Sequence, residues 1–213
     1  AYGLCTYMGP AEHAQALAEH PARLSSVGRE FGAAQVMIRR EDGEPCAQGE
    51  VGEICICAPW MTPGFWKNPE LDARRLKGGW LLTGDLGRME PDGYVYLADR
   101  KEDMIISGGY NVYPAEVEHA LAAHEAVAES GVFAVPDDKG GEAGHAAVVL
   151  PPGKNVSQAE LIAFVKERVA YFKVPKTVHF IDALPKTPVG KIVRRVLREP
   201  YWAGHTRQVH GAG

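Results

Sequence analysis

Long apolar runs are missing from this chain of 213 residues, and none approaches the ~20 residues that a bilayer-spanning helix needs. No signal-peptide pattern of basic, apolar and small-residue segments is visible either. Together these absences set the default expectation of a soluble cytoplasmic protein with no integral membrane segment. Cysteine is scarce: four residues, irregularly spaced, suit neither a disulfide scaffold nor a zinc site. Cys55 and Cys57 alternate with Ile54 and Ile56 and read as small buried hydrophobes on one strand face. Excess charge is lacking too, since 23 basic against 27 acidic residues leave −4, which implies no general attraction to nucleic acid. His119, His124, His145 and His179 show no metal-ligand spacing, and no Ser-His-Asp arrangement can be assembled around them. Repeats and low-complexity segments are absent. The chain opens on Ala1-Tyr2-Gly3-Leu4 without a start methionine, as a processed end or a partial sequence would.

What is present is a hydrophobic fraction of 46%, enough for real cores in one large or two small domains. Residues 22–98 read as β-rich. Gln35 to Ile38 is a strand followed by the turn Glu41-Asp42-Gly43-Glu44-Pro45, Gly52 to Ala58 alternates as a second, and Tyr94 to Ala98 follows the turn Pro91-Asp92-Gly93. Short strands with Gly/Pro turns predict a small barrel or curled sheet. Asn68-Pro69-Glu70-Leu71 opens a short helix.

After Arg100 the texture changes. Asp103 to Ser107 is a short strand that Gly108-Gly109 breaks, and Pro114 sits where a first helical residue belongs. Val127 to Val135, His145 to Leu150 and Thr177 to Ile181 read as strands. Ser157-Gln158-Ala159-Glu160 is a capping box ahead of Leu161, Ile162, Val165 and Val169. The expected fold class is α+β: a β-rich subdomain over 1–98, then a small mobile α+β domain over 99–213, with the boundary near 99–103.

Three motifs bear on chemistry. Asp85 lies in Leu82-Thr83-Gly84-Asp85-Leu86; an ionised carboxylate accepts two hydrogen bonds and suits a ribose diol, or it is a turn or N-cap aspartate. Ser107-Gly108-Gly109-Tyr110-Asn111 is a glycine-rich run that, by its residues, reads as a simple turn. Leu184-Pro185-Lys186-Thr187-Pro188-Val189-Gly190-Lys191-Ile192 leads into Arg194, Arg195 and Arg198, a basic cluster that reads as a solvated helix face or as a phosphate-facing surface.

The three in this order, with Asp99-Arg100-Lys101 between the first two, resemble the C-terminal part of the adenylate-forming acyl-CoA synthetase superfamily. The likeness spans essentially all of residues 1 to 206 and is greatest to the fatty-acyl and aryl-CoA ligase branch. It implies that the larger N-terminal portion, with its phosphate-binding loop and most of the acyl pocket, lies outside these residues. It also implies an enzyme that uses ATP, magnesium and CoA, with the β-rich part being the end of a large adenylation domain. On this resemblance Asp85 and Arg100 hold the nucleotide ribose, and Tyr2 and Gly3 match the segment whose aromatic ring stacks on adenine. Lys191 is the adenylation lysine: its ammonium bridges carboxylate and phosphate oxygens as charge develops. Glu102 stands at the hinge position, where the family usually has Asp or Lys, and Gly108, Gly109 and Tyr110 line the pantetheine channel.

One departure from the pattern matters. In the aromatic–Gly–X–Thr–Glu segment, Cys5 replaces the threonine and Thr6 the glutamate that helps bind magnesium, and a neutral hydroxyl is a poor substitute for a carboxylate. The metal ligands are therefore unknown. The expected function is part of an AMP-forming ligase that converts a fatty or aryl carboxylate to acyl-AMP and then to acyl-CoA. A non-catalytic fragment or binding module, and an acyl-AMP ligase serving a carrier protein, are the alternatives. Oligomeric state is left open.

Overall fold

A computed structural model describes residues 3–204. They divide into two compact units, Ala1–Lys101 and Glu102–Gly213. No helix among the described residues is long and apolar enough to cross a membrane.

The first unit contains β1 (Thr6–Tyr7), α1 (Pro10–Glu19), β2 (Arg29–Glu30), β3 (Gln35–Arg39), β4 (Gly52–Cys57), α2 (Pro69–Arg75), β5 (Leu76–Lys77), β6 (Trp80–Met89) and β7 (Val95–Arg100). β1 and β2 form a separate antiparallel ribbon. The others make one antiparallel sheet in the order β3-β4-β6-β5, with β7 also on β6. β6 is its spine. One edge pairs with β4; the other pairs first with β5, through Trp80 and Leu81, and then with β7, from Asp85 to Met89. Val36, Ile38, Ile54, Ile56 and Val95 share one buried cluster with Cys5 and Ala34, so the alternation of β3 and β4 feeds a single core. α1 was not expected from the sequence. Pro10 opens it, and the Glu12 carboxylate accepts the Gly9 N–H at 2.8 Å, but Ala16 is its one buried residue. α2 is capped as its sequence suggests, the Asn68 side chain accepting the Leu71 N–H at 3.1 Å.

The second unit contains β8 (Ile105–Ser107), β9 (Tyr110–Val112), α3 (Pro114–Ala122), β10 (Glu129–Asp137), β11 (Gly141–Val149), α4 (Gln158–Lys166), β12 (Thr177–Phe180) and α5 (Arg194–Arg198). Its sheet runs β10-β11-β8-β9, and β12 joins β11 in parallel. β10 and β11 extend beyond their expected ends into one long hairpin. α3 and α4 lay Val117, Leu121, Leu161 and Val165 on the face formed by Ile105, Val112, Val132, Ala134, Ala146 and Val148. The capping box holds, with Ser157 accepting from Glu160 N–H and Glu160 accepting from Ser157 N–H. The opposite face of β10 and β11 packs Phe133, Val135, Ala143 and Ala147 against Leu184, and the Trp202 indole donates to the Ala134 carbonyl at 2.9 Å.

Candidate functional site

The Thr83-Gly84-Asp85 motif is not a free turn but a bulge inside β6. On β4, Glu53 pairs with Leu86 and Cys55 with Leu82, so one residue of β4, Ile54, faces three of β6. The side chains around it replace the lost ladder. The Thr83 hydroxyl donates to the Ile54 carbonyl at 2.7 Å and accepts the Asp85 N–H at 3.0 Å. The Gly84 N–H donates to Glu53 Oε1 at 3.0 Å, and the Gly84 carbonyl accepts the Lys101 N–H at 2.9 Å. Arg75, at the end of α2, donates to the Leu82 carbonyl at 3.2 Å.

Beyond the bulge, Asp85 and Arg100 sit directly opposite each other on β6 and β7, and their side chains pair at 2.8 Å. Arg100 is half exposed, and exposed pairs contribute only ~0–1 kcal/mol to stability. The arrangement therefore does more to set the direction of a carboxylate and a guanidinium than to hold the sheet. An acceptor for two hydroxyls beside a planar cationic donor suits a sugar with an attached phosphate.

Gly3 lies close under the Trp60 ring, where a Cβ would approach within 3.2 Å. Tyr2, its partner in the adenine assignment, lies outside the described residues. Thr6 is in β1, opposite Glu30. Among the described residues no three His, Cys, Asp or Glu side chains group as a metal site. At the position of the family's magnesium-binding glutamate this chain carries the Thr6 hydroxyl, and the carboxylate directly across the ribbon, Glu30, accepts the Val36 N–H at 2.6 Å.

In the second unit, Gly108 and Gly109 are the two-residue loop of the β8–β9 hairpin, with φ of +58° and +85°. Positive φ at both central positions is the mirror-image turn that matches strand twist, and it accounts for both glycines. Nothing lies within 4 Å of where either Cβ would be, so the space above the loop is open. Tyr110 is 50% exposed and stacks on Phe172 with ring centroids 4.5 Å apart.

Lys191 ends a second tight loop. Gly190 N–H donates to the Thr187 carbonyl at 2.9 Å, Thr187 N–H to the Lys191 carbonyl at 2.8 Å, and Lys191 N–H to Thr187 Oγ1 at 3.1 Å. Gly190 takes φ +82°, the left-handed residue that closes such a loop. The Lys191 side chain is exposed and has no hydrogen-bond or ion-pair partner among the described residues. Its basic neighbours differ. Arg194 pairs with Glu118 at 2.7 Å and Asp103 at 3.2 Å, Arg198 pairs with Asp103 at 3.1 Å, and Lys186 pairs with Glu129. Neither a solvated face nor a phosphate-facing surface describes Arg194 and Arg198, which tie α5 to α3 and to the start of the second unit. Lys173 and Lys176 likewise pair with Glu116 and Asp137.

Sequence reasoning missed Glu53. Its signal was a lone carboxylate between Gly52 and Ile54 in an otherwise apolar strand, and it is only 8% exposed. Glu102 opens the second unit, next to the last residue of the first.

Residues 116–191 match the model of the AMP-binding enzyme C-terminal domain. The chain is 42% identical over 211 residues to a medium/long-chain-fatty-acid–CoA ligase of Mycobacterium tuberculosis, covering 96% of this chain and 36% of that protein. It is 50% identical over 165 residues to a long-chain-fatty-acid–CoA ligase of Bacillus subtilis, covering 78% and 30%. The chain thus spans about a third of the length of the curated relatives it matches. Among solved structures, the o-succinylbenzoate CoA synthetase of Bacillus subtilis, in complex with its acyl-adenylate intermediate, superposes with a TM-score of 0.82 at 36% identity, covering 92% of this chain and 38% of that one. The same enzyme has been solved with ATP and magnesium ion.

Proposed function

We propose, for a chain that corresponds to the C-terminal part of the adenylate-forming acyl-CoA ligases, that it supplies the nucleotide-orienting pair, the adenylation lysine and the CoA-facing loop of such an enzyme. A fatty or aryl carboxylate is the substrate class. In the first half-reaction a carboxylate oxygen attacks the α-phosphorus of ATP, the bond to pyrophosphate breaks, and acyl-AMP forms. In the second, the CoA thiol loses its proton and its sulfur attacks the acyl carbonyl; the bond to AMP breaks and the thioester forms.

The observation that carries this reading is the Asp85–Arg100 pair held at 2.8 Å beyond a hydrogen-bonded bulge. The carboxylate accepts the ribose hydroxyls, and the guanidinium steadies the ribose–phosphate junction. Tyr2 and Gly3 receive the adenine. Lys191, whose side chain has no partner among the described residues where its loop ends, delivers an ammonium between the two approaching anions; such a contact gains strength as charge develops. Glu102 is the hinge about which the second unit turns between half-reactions, and few residues are needed to absorb such a rotation. Gly108, Gly109 and Tyr110 then serve CoA, the open space over the turn leaving room for a thin thiol arm. Thr6 favours one rival, a non-catalytic fragment or binding module that activates no carboxylate.

The test is made on the complete gene product with ATP, a panel of fatty and aryl acids, and CoA, with acyl-AMP and acyl-CoA quantified by mass spectrometry. Lys191→Ala is expected to lower acyl-AMP formation by ~10²–10³-fold, the scale of one lost transition-state contact. Thioester formation from supplied acyl-AMP should change far less. Equal loss in both half-reactions would contradict the role of Lys191, and absence of both products from the wild type would favour the non-catalytic reading. Product that forms only with a carrier protein in place of CoA would assign the acyl-AMP to carrier loading.

A further inference from the structure

We propose that Glu53 is a positioning residue for the nucleotide site, setting the separation and direction of Asp85 and Arg100 through the backbone units next to each. The proposal rests on the functional reading above and adds a residue to it. Glu53 lies on β4, across the sheet from the bulge, and its carboxylate is nearly withdrawn from solvent. A buried ionised carboxylate persists only where donors surround it. Two donors from separate places reach it, and a further cation stands nearby. Oε1 accepts the Gly84 N–H at 3.0 Å and stands 3.8 Å from the Arg75 guanidinium; Oε2 accepts from Lys101 Nζ at 3.1 Å.

The identity of those donors is what points to function. Gly84 immediately precedes Asp85, and Lys101 immediately follows Arg100. The one carboxylate thus grips the neighbour of each member of the ion pair, while the Lys101 N–H to Gly84 carbonyl bond at 2.9 Å closes the frame. The register shift between Glu53 and Cys55 interrupts the ladder here, and the Gly84 N–H goes to the Glu53 side chain instead. Without an acceptor the Gly84 amide would be an unsatisfied donor beside the ribose aspartate. Lys101 is also the last residue of the first unit, so the same contact fixes the strand up to the proposed hinge at Glu102.

The experiment uses the complete gene product and compares Glu53→Gln, Lys101→Met and Lys101→Arg with wild type. Initial rates of acyl-AMP formation are measured against ATP and against carboxylate, alongside thermal melting and amide exchange of residues 83–86 and 99–101. Glu53→Gln keeps an acceptor for Gly84 but loses the charge that holds Lys101. Lys101→Met removes the partner and leaves Glu53 itself in place, so it reports even if the Glu53 variant fails to fold. The expected result is a rise of about 10-fold or more in KM for ATP in both variants, the scale of a small misplacement of binding groups. KM for the carboxylate should stay within about 2-fold, amide exchange should quicken at 83–86, and Lys101→Arg should restore most of the ATP dependence. A purely structural role would instead lower the melting temperature and scale both KM values together, and that result, or an unchanged KM for ATP, overturns the proposal while leaving the functional reading intact. A wild type that forms no acyl-AMP takes down both.

Discussion

Asp85 illustrates how a residue's chemistry is set by strand context. Read locally, Thr83-Gly84-Asp85 is equally a turn, and the decision is made by partners that sequence proximity does not reveal: Ile54 and Glu53, some thirty residues upstream, and Lys101 downstream. The glycines of the 108–109 loop are more legible, because a Gly-Gly pair between two short apolar runs already names the turn it must make. They also give a residue-scale prediction. No atom waits within 4 Å of either missing Cβ, so Gly109→Ala should cost only the left-handed backbone penalty, ~1–2 kcal/mol. Gly109→Asn, which tolerates that conformation, should cost less. Urea unfolding of the two variants checks the order; equal or reversed costs would contradict it.

Among the elements, those with an apolar alternation or an explicit cap were readable to within a few residues. β3, β4, β12, α3 and α4 follow from Gln35–Ile38, Gly52–Ala58, Thr177–Ile181, Pro114 and the Ser157/Glu160 box. β6 was not readable, since its middle carries turn residues and its strand state is imposed by neighbours on both edges. α1 was missed because burial of Ala16 alone leaves almost no apolar stripe. The pairing of Arg194 with Glu118 and Asp103 was hidden by separations of 76 and 91 residues. Two predictions belong at this scale. Leu161, fully buried between α4 and the second sheet, should lose ~2–5 kcal/mol on Leu161→Ala, measurable by denaturant titration. His145 on β11 and His179 on β12 approach to 3.3 Å, and Tyr201 hydroxyl lies 3.1 Å from the same His179 nitrogen. Burial, then the charges of His179 and Lys176, push the His145 imidazole below its ordinary range, with Asp137 opposing. The unfolded chain therefore binds that proton more readily. The stability this group contributes is complete above its unfolded pKa of about 6.5 and drains away as pH falls below it. Melting temperatures between pH 7.5 and 5.5 should decline, and His145→Leu should flatten the decline; an unaltered slope would remove His145 as its source.

At the scale of the whole molecule, the two units own separate cores, one around Ile54, Ile56 and Val95 and the other around Ile105, Leu121 and Leu161. Damage to one should therefore stay there: Leu161→Ala should speed amide exchange in β10 and β11 while leaving that of β3 and β4 unchanged. Uniform acceleration would show the cores to be energetically joined. The succession of β5 and β7 along one edge of β6 has a further consequence for how such a protein can change over generations. The bulge separates two pairing registers carried by a single strand. An insertion or deletion in the loop ahead of α2 can leave Arg75 on the bulge and Asp85 aligned on β7. That loop is open to length variation, while the placement of the carboxylate is inherited unchanged.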